Sequence, residues 1–299
     1  MLESLESCRL CPRNCGVNRL NGQVGFCKAG KDVRLAKVSL HHWEEPCISG
    51  SRGSGTVFFS NCNLSCVFCQ NHEISQESFG KDVSIERLGE IFIEQQNRGA
   101  HNINLVTPTH FVPQIIEAVS LAKKDGLSIP VLYNTNSYEN IETIRSLQGI
   151  ADVYLADLKY FNDSYAKKYS NADNYFFHAS KAIGEMFRQA GQAVFDKDNI
   201  MVKGVIVRHL MLPGLLFDTK KLIDYLYGEY GDSIFISLMN QYTPMHKAVL
   251  YPEIDKRLNP RHYESIIDYC LEKGIHNAFV QGQGTASEDY VPDFDLDGI

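Results

Sequence analysis

The chain has 299 residues, 44% of them hydrophobic and 22% charged, with a formal net charge of −7. Its length predicts two small domains or one large α/β unit, and its composition excludes collagen-like, disordered and small disulfide-held classes. With no basic run, no stretch of about 18 apolar residues and no signal-peptide layout in MLESLESCRL, neither nucleic acid nor a membrane is an expected partner, and a cytoplasmic location is expected.

Residues 1–50 are rich in Cys and Gly and show little periodicity, so they are expected to form a small lobe held by a metal rather than by a core. Residues 51–299 would then form the main domain with a carboxyl-terminal extension. Eight of the nine cysteines lie in the first 69 residues. In a reducing compartment such crowding indicates metal or cluster ligation rather than disulfides. Cys8, Cys11, Cys15 and Cys27 form C-x2-C-x3-C-x11-C. Four thiolates make a closed set suited to an auxiliary iron–sulfur cluster or to structural zinc, with unliganded thiols as a third reading.

Next comes HHWEEP (41–46), with two histidines, the only tryptophan and two acids; it is expected either to cap a site or to form a solvated turn around a packed Trp43. Cys47 is a candidate substitute ligand. Gly50, Gly53 and Gly55 lack the following Lys-Ser/Thr of a P-loop, and are expected to let the backbone pass close to a cofactor.

Beyond residue 55, short apolar runs alternate with amphipathic helical stretches. The predicted strands are 56–59, 103–107, 130–135, 152–159, 202–212, 233–239 and, more weakly, 277–282. The predicted helices are 84–99 with Ser84 as N-cap, 111–126, 174–191, 217–231 and 260–274 with Asn259 as cap. Six or slightly more such units predict an α/β fold, a partial (β/α)6 barrel of the TIM type, whose chemistry sits at the carboxyl ends of the strands. Cys270, beside Ile266 and Ile267 on a helix face, is a small core residue. The GQG at 282–284 carries no weight.

Directly after the first of these strands, SNCNLSCVFCQN places Cys62, Cys66 and Cys69 in the spacing C-x3-C-x2-C. Three such thiolates can hold three corners of a cubane iron–sulfur cluster, and with no fourth cysteine in the loop one iron stays open. The absence of a neighbouring His-x-x-x-His pattern makes catalytic zinc the weaker reading.

This loop, with Phe68 before its third cysteine, resembles the cluster motif of the radical S-adenosylmethionine (SAM) superfamily. The resemblance implies a [4Fe-4S] cluster whose open iron is chelated by SAM. It also implies reductive cleavage to a 5′-deoxyadenosyl radical that abstracts hydrogen, with the electron coming from a low-potential donor such as flavodoxin or ferredoxin. SGSRGSGTVFFSNCNLSCVFCQN, the run Asp157-Leu158-Lys159 and VRHLMLPG (207–214) resemble proteins related to pyruvate formate-lyase activating enzyme. That likeness implies a glycyl radical enzyme as partner. By resemblance, Asp157 and Lys159 contact the nucleoside and the methionine carboxylate. The Gly-Gly-Glu edge usual after the second strand is replaced by NLVTPTHF. There Thr107 and Thr109 are expected to supply similar hydrogen bonds, and His110 is a candidate for reaching cofactor or substrate.

Other strand ends add candidates. Asn134 and Asn136 have amides suited to a ribose or carboxylate, and of Arg208 and His209 only one can face inward, Arg208 being the choice. Gln241 and Tyr242 are weaker candidates for shaping a substrate cavity. The resulting expectation is a radical SAM oxidoreductase resembling glycyl-radical activases. The alternative is an enzyme modifying a small molecule or a peptide, and a non-catalytic iron–sulfur or zinc protein is the least favoured reading.

Overall fold

All seven predicted strands form in the computed structural model, which describes residues 2–282 and 292–299. Its strands are β1 (Val33–His41), β2 (Ser54–Phe59), β3 (Lys81–Val83), β4 (Ile103–Val106), β5 (Val131–Thr135), β6 (Val153–Asp157), β7 (Val194–Phe195), β8 (Met201–Leu210), β9 (Phe235–Met239) and β10 (Ala278–Val280). Helices are α1 (Pro46–Ser49), α2 (His72–Ser75), α3 (Ile85–Asn97), α4 (Val112–Lys124), α5 (Ile141–Ser146), α6 (Asp163–Ser170), α7 (Tyr175–Ala190), α8 (Leu216–Tyr230) and α9 (Pro260–Glu272). The sheet runs β10-β9-β8-β6-β5-β4-β2-β1-β3, with β7 beside β8. From β2 through β10 this path is parallel, whereas β1 and β3 are antiparallel additions at one edge.

Helix ends follow local chemistry. Ser84 accepts the Arg87 amide to cap α3, and Asn259 accepts that of Arg261 to cap α9, with Pro260 in its first turn. One face of β2, β4 and β5 packs against α3 and α4 through Val57, Phe59, Ile103, Leu105, Ile91, Phe92 and Ile115. Farther along the sheet, Tyr154, Val207 and Ile236 pack against Ile183, Leu222 and Ile266 of α7, α8 and α9. Cys270 is buried there, as expected.

Because strand residues alternate, the opposite face carries Leu132, Val153, Leu155 and Ile206, which cluster with Cys47 and Ile48 of α1. Further toward the carboxyl ends this same face turns polar, ending in Asn134, Asp157 and Arg208. The segment 42–50 thus fills the space within the curved sheet and forms the floor of whatever sits above it.

Residues 33–41, grouped by sequence with the Cys-rich lobe, form β1 and pair with β2. Its first residues, Val33 to Leu35, also pair with β3, so β1 lies inside the sheet there. The stretch before it lies against the carboxyl ends. Asn140, just before α5, and Thr143 within it donate to the carbonyls of Arg9 and Leu10, and Gln114 donates to Lys31 O. No helix among the described residues is long and apolar enough to cross a membrane.

Candidate active site

The loop following β2 carries Cys62, Cys66 and Cys69 to the carboxyl end of the sheet, where all three line one cavity of about 280 Å³. None is in a disulfide. The Leu64 amide and Asn136 Nδ2 each donate to Cys62 Sγ at 3.4 Å. Cys66 Sγ lies 3.0 Å from Ser170 Oγ, and Cys69 Sγ 3.3 Å from Ser75 Oγ. Burial raises all three thiol pKa values, Cys66 to about 11, and the Lys159 ammonium opposes the rise in each. Three soft donors facing one cavity, with hydrogen bonds already directed at their sulfurs, suit a cluster with one open iron. Among the described residues no group of three or more His, Cys, Asp or Glu is gathered tightly enough for a single ion.

Phe68, Thr107, Asn134, Asn136, Asp157, Lys159 and Arg208 line the same cavity, as do Gln241 and Tyr242. Phe68 meets Tyr242 edge to face at 5.8 Å. Asp157 and Lys159 form an ion pair at 2.6 Å. Burial disfavours the Lys159 charge, but Asp157 and Cys66 outweigh it and hold its pKa above the ordinary value. The Tyr175 hydroxyl accepts from Lys159 N and lies 2.9 Å from Asn136 O, tying two strand ends together.

Thr107 has φ +59°, a left-handed conformation that is a strong outlier for a β-branched residue. Strain of this type costs on the order of 1–3 kcal/mol and concentrates at functional sites. Thr107→Gly is expected to raise stability by roughly 1 kcal/mol in denaturant unfolding, after allowing for glycine's own entropy cost. A variant no more stable than wild type would show that the position carries no strain.

Three expected placements are corrected, and a fourth is met with an added partner. Thr109 does not reach the cavity; it begins a tight turn after Pro108 and donates to Glu139 Oε1 at 2.7 Å, fully buried. His110 turns the other way, its Nε2 donating to Ser60 O at 2.8 Å, and burial lowers its pKa to about 3. Gly50, Gly53 and Gly55 sit at the opposite strand ends from the thiols. A Cβ on Gly50 would lie 2.7 Å from His101 Nε2, and one on Gly53 2.8 Å from the His42 ring, so they make room for packing. Arg208 enters the cavity, while His209 turns outward to Leu158 O and Thr219. Yet Arg208 is already paired, with both Glu44 and Glu45, its Nε donating to Glu45 Oε1 at 2.8 Å.

HHWEEP is therefore split by the fold. Trp43 is exposed, and the two acids turn inward to Arg208, with Glu44 also accepting from Asn104 Nδ2 at 2.7 Å. His41 and Glu44 line the cavity floor. Cys47 lies below, buried among the apolar residues around α1, and lines a second cavity at the amino ends with His101, Phe195, Phe235 and Phe279. In the GQG stretch, Gln283 and Gly284 lie outside the described residues.

Sequence reasoning missed Glu139, Ser170 and Ser75. Glu139 is buried, with Thr109, Tyr133 and Thr135 all donating to its Oε1. Desolvation outweighs these three bonds and raises its pKa to about 7. The folded state therefore holds a proton between about pH 4.5 and 7 that the unfolded chain releases, so this group's contribution to stability falls as pH rises through that window. Glu139→Gln is expected to flatten the slope, by up to about 1.4 kcal/mol per pH unit, in unfolding titrations at pH 5 and 8. An unchanged slope would place the titration elsewhere.

At the amino terminus, Cys8, Cys11, Cys15 and Cys27 line one small cavity with Arg13, Arg19, Gly25 and His110. All four are free thiols. The two cysteine sets share a wall. Arg13 Nε donates to Asn63 O at 2.9 Å, next to Cys62, and His110 bonds Ser60 on the other side.

The Radical SAM superfamily model matches residues 56–226, more than half of the chain, which belongs to this superfamily. Its members use a [4Fe-4S] cluster and SAM. An uncharacterised protein of Methanocaldococcus jannaschii is 31% identical over 275 residues, covering 88% of this chain and 74% of that protein. Streptococcus suis SuiB bound to S-adenosylmethionine superposes with a TM-score of 0.51 at 13% identity, over 77% of this chain and 52% of SuiB. SuiB bound to precursor peptide SuiA gives 0.50 at 12% identity, over 75% and 47%. The chain thus spans about half the length of SuiB, and this likeness is one of fold.

Proposed function

We propose that this radical SAM enzyme binds its cluster and SAM in the cavity at the carboxyl strand ends and takes a hydrogen atom from a polypeptide. The observation that carries the reading is the convergence of Cys62, Cys66 and Cys69 with Asn136, Asp157 and Lys159 on that one cavity. The sheet is then a partial (β/α)6 barrel plugged by residues 42–50. Cys62, Cys66 and Cys69 would hold the cluster through three irons, leaving one open for SAM. When bound, the pair supplies a one-electron cleavage that yields a hydrogen-abstracting radical, with flavodoxin or ferredoxin as the class of donor.

The chain's own residues hold and shield the cofactor. Lys159, kept charged by Asp157, faces the methionine carboxylate. Thr107, Asn134 and Asn136 offer hydrogen bonds to the nucleoside, and Phe68 against Tyr242 keeps water from one side. Lys159→Met is expected to weaken SAM binding about 10–100-fold, the worth of one charge-assisted hydrogen bond, as measured by equilibrium dialysis of anaerobic protein. Undiminished binding would remove Lys159 from the site.

The cavity lies near the lower end of the roughly 300–1,000 Å³ typical of ligand pockets. Backbone at a glycine, the substrate of an activase, is the occupant favoured by the likeness of the strand-end motifs. SuiB, of similar fold, is bound to a precursor peptide. The second reading, modification of a peptide side chain or a small molecule, is favoured by NLVTPTHF in place of the Gly-Gly-Glu edge. Reduced protein is expected to form 5′-deoxyadenosine from SAM. Cluster-loaded protein that leaves SAM intact would overturn the proposal. A glycyl doublet in electron paramagnetic resonance spectra after mixing with glycyl radical enzymes supports the activase; deuterium transfer from a labelled peptide or small molecule without that doublet selects the second reading.

A further inference from the structure

We propose that Cys8, Cys11, Cys15 and Cys27 hold a second iron–sulfur cluster, closed by four protein thiolates and seated behind the wall of the SAM cavity. The sequence leaves cluster, zinc and free thiols open for these residues, and the structure brings all four to one place. All four cysteines line one cavity and none is in a disulfide. Structural zinc held by four cysteines commonly uses two C-x2-C pairs, and of these four only Cys8 and Cys11 have that spacing.

Three features prepare the site for an anionic centre. The Phe26 amide donates to Cys15 Sγ at 3.4 Å, the kind of hydrogen bond that tunes cluster sulfurs. Gly25 makes this approach feasible, since a Cβ there would stand 2.7 Å from Cys15 Sγ. Arg13 and Arg19 bring two guanidinium groups to the same cavity. Arg19 is 1% exposed and locked onto the carbonyls of Gly30 and His110, and its Nη1 lies 3.9 Å from Cys8 Sγ. Arg13 Nη2 is a buried donor with no acceptor, an orphan that cluster or thiolate sulfur would satisfy. The link from Arg13 Nε to Asn63 O then makes the second centre a brace for the loop that carries Cys62.

This inference does not depend on SAM cleavage, and its test reads metal rather than activity. The full chain, as wild type and with Cys62, Cys66 and Cys69 all changed to Ala, is reconstituted anaerobically with ferrous iron and sulfide. Iron and zinc are counted by mass spectrometry, and the reduced protein is examined by electron paramagnetic resonance. About eight irons are expected in the wild type and about four, with a cluster spectrum, in the triple variant. A triple variant with one zinc and no iron, or with no metal, overturns the proposal. Cys8→Ala with Cys11→Ala is expected to lose about four irons while keeping the rest; retention of all eight would exclude these ligands. If that double variant fails to fold, the triple variant decides alone.

Discussion

Cys66→Ala is expected to abolish formation of 5′-deoxyadenosine from SAM under reducing conditions, measured by chromatography of quenched reactions. Cys66 is the middle of the three cavity thiols, and with it gone two thiolates would have to hold a cluster whose third protein-ligated iron has lost its partner. Cleavage at the wild-type rate would show that the cluster sits elsewhere. Ser170→Ala distinguishes loss of ligand from loss of support. It removes the hydroxyl 3.0 Å from Cys66 Sγ and is expected to keep the iron while slowing cleavage about 10-fold, as for other partners of metal ligands.

Arg208→Met carries the largest expected cost to stability. It leaves Glu44 and Glu45 side by side without their cation, Glu45 being 8% exposed. Removing one partner of a buried ion pair costs about 3–5 kcal/mol because the remaining charge stays desolvated. That loss is expected in denaturant unfolding, and Glu45→Gln in the same chain is expected to restore part of it. Burial would raise the Glu45 pKa, but Arg208 overcomes this and holds it below the ordinary 4.5. The pair's contribution is therefore present above pH 4.5 and lost as pH falls through the depressed folded value. A variant as stable as wild type would mean that water already reaches these carboxylates.

Much of the site is legible in the sequence because its determinants are local. The spacing of Cys62, Cys66 and Cys69 puts three thiols on one loop whatever the fold does elsewhere. Alternation along a strand is equally local, so Asp157 with Lys159, and Arg208 rather than His209, could be assigned to the cavity side. Thr109 and His110 failed because a tight turn after Pro108 breaks the alternation that served elsewhere. Gly50, Gly53 and Gly55 failed because nearness in sequence to the thiols hid the full length of β2 between them.

Ser170, Glu139 and the Glu44–Glu45–Arg208 group had no comparable signal. Ser170 reaches Cys66 across 104 positions and Arg208 reaches Glu45 across 163, so only closure of the chain makes them neighbours. The sequence by itself determined the repeating strands and helices, the three-thiol loop and the presence of a second cysteine set, since each depends on periodicity or spacing over a few residues. Tertiary structure alone decided which polar side chains share the cavity, that residues 42–50 form its floor, and that the two cysteine sets share a wall. Those outcomes depend on burial and charge pairing between segments far apart in the chain, where the cost of an unpartnered buried group selects the arrangement.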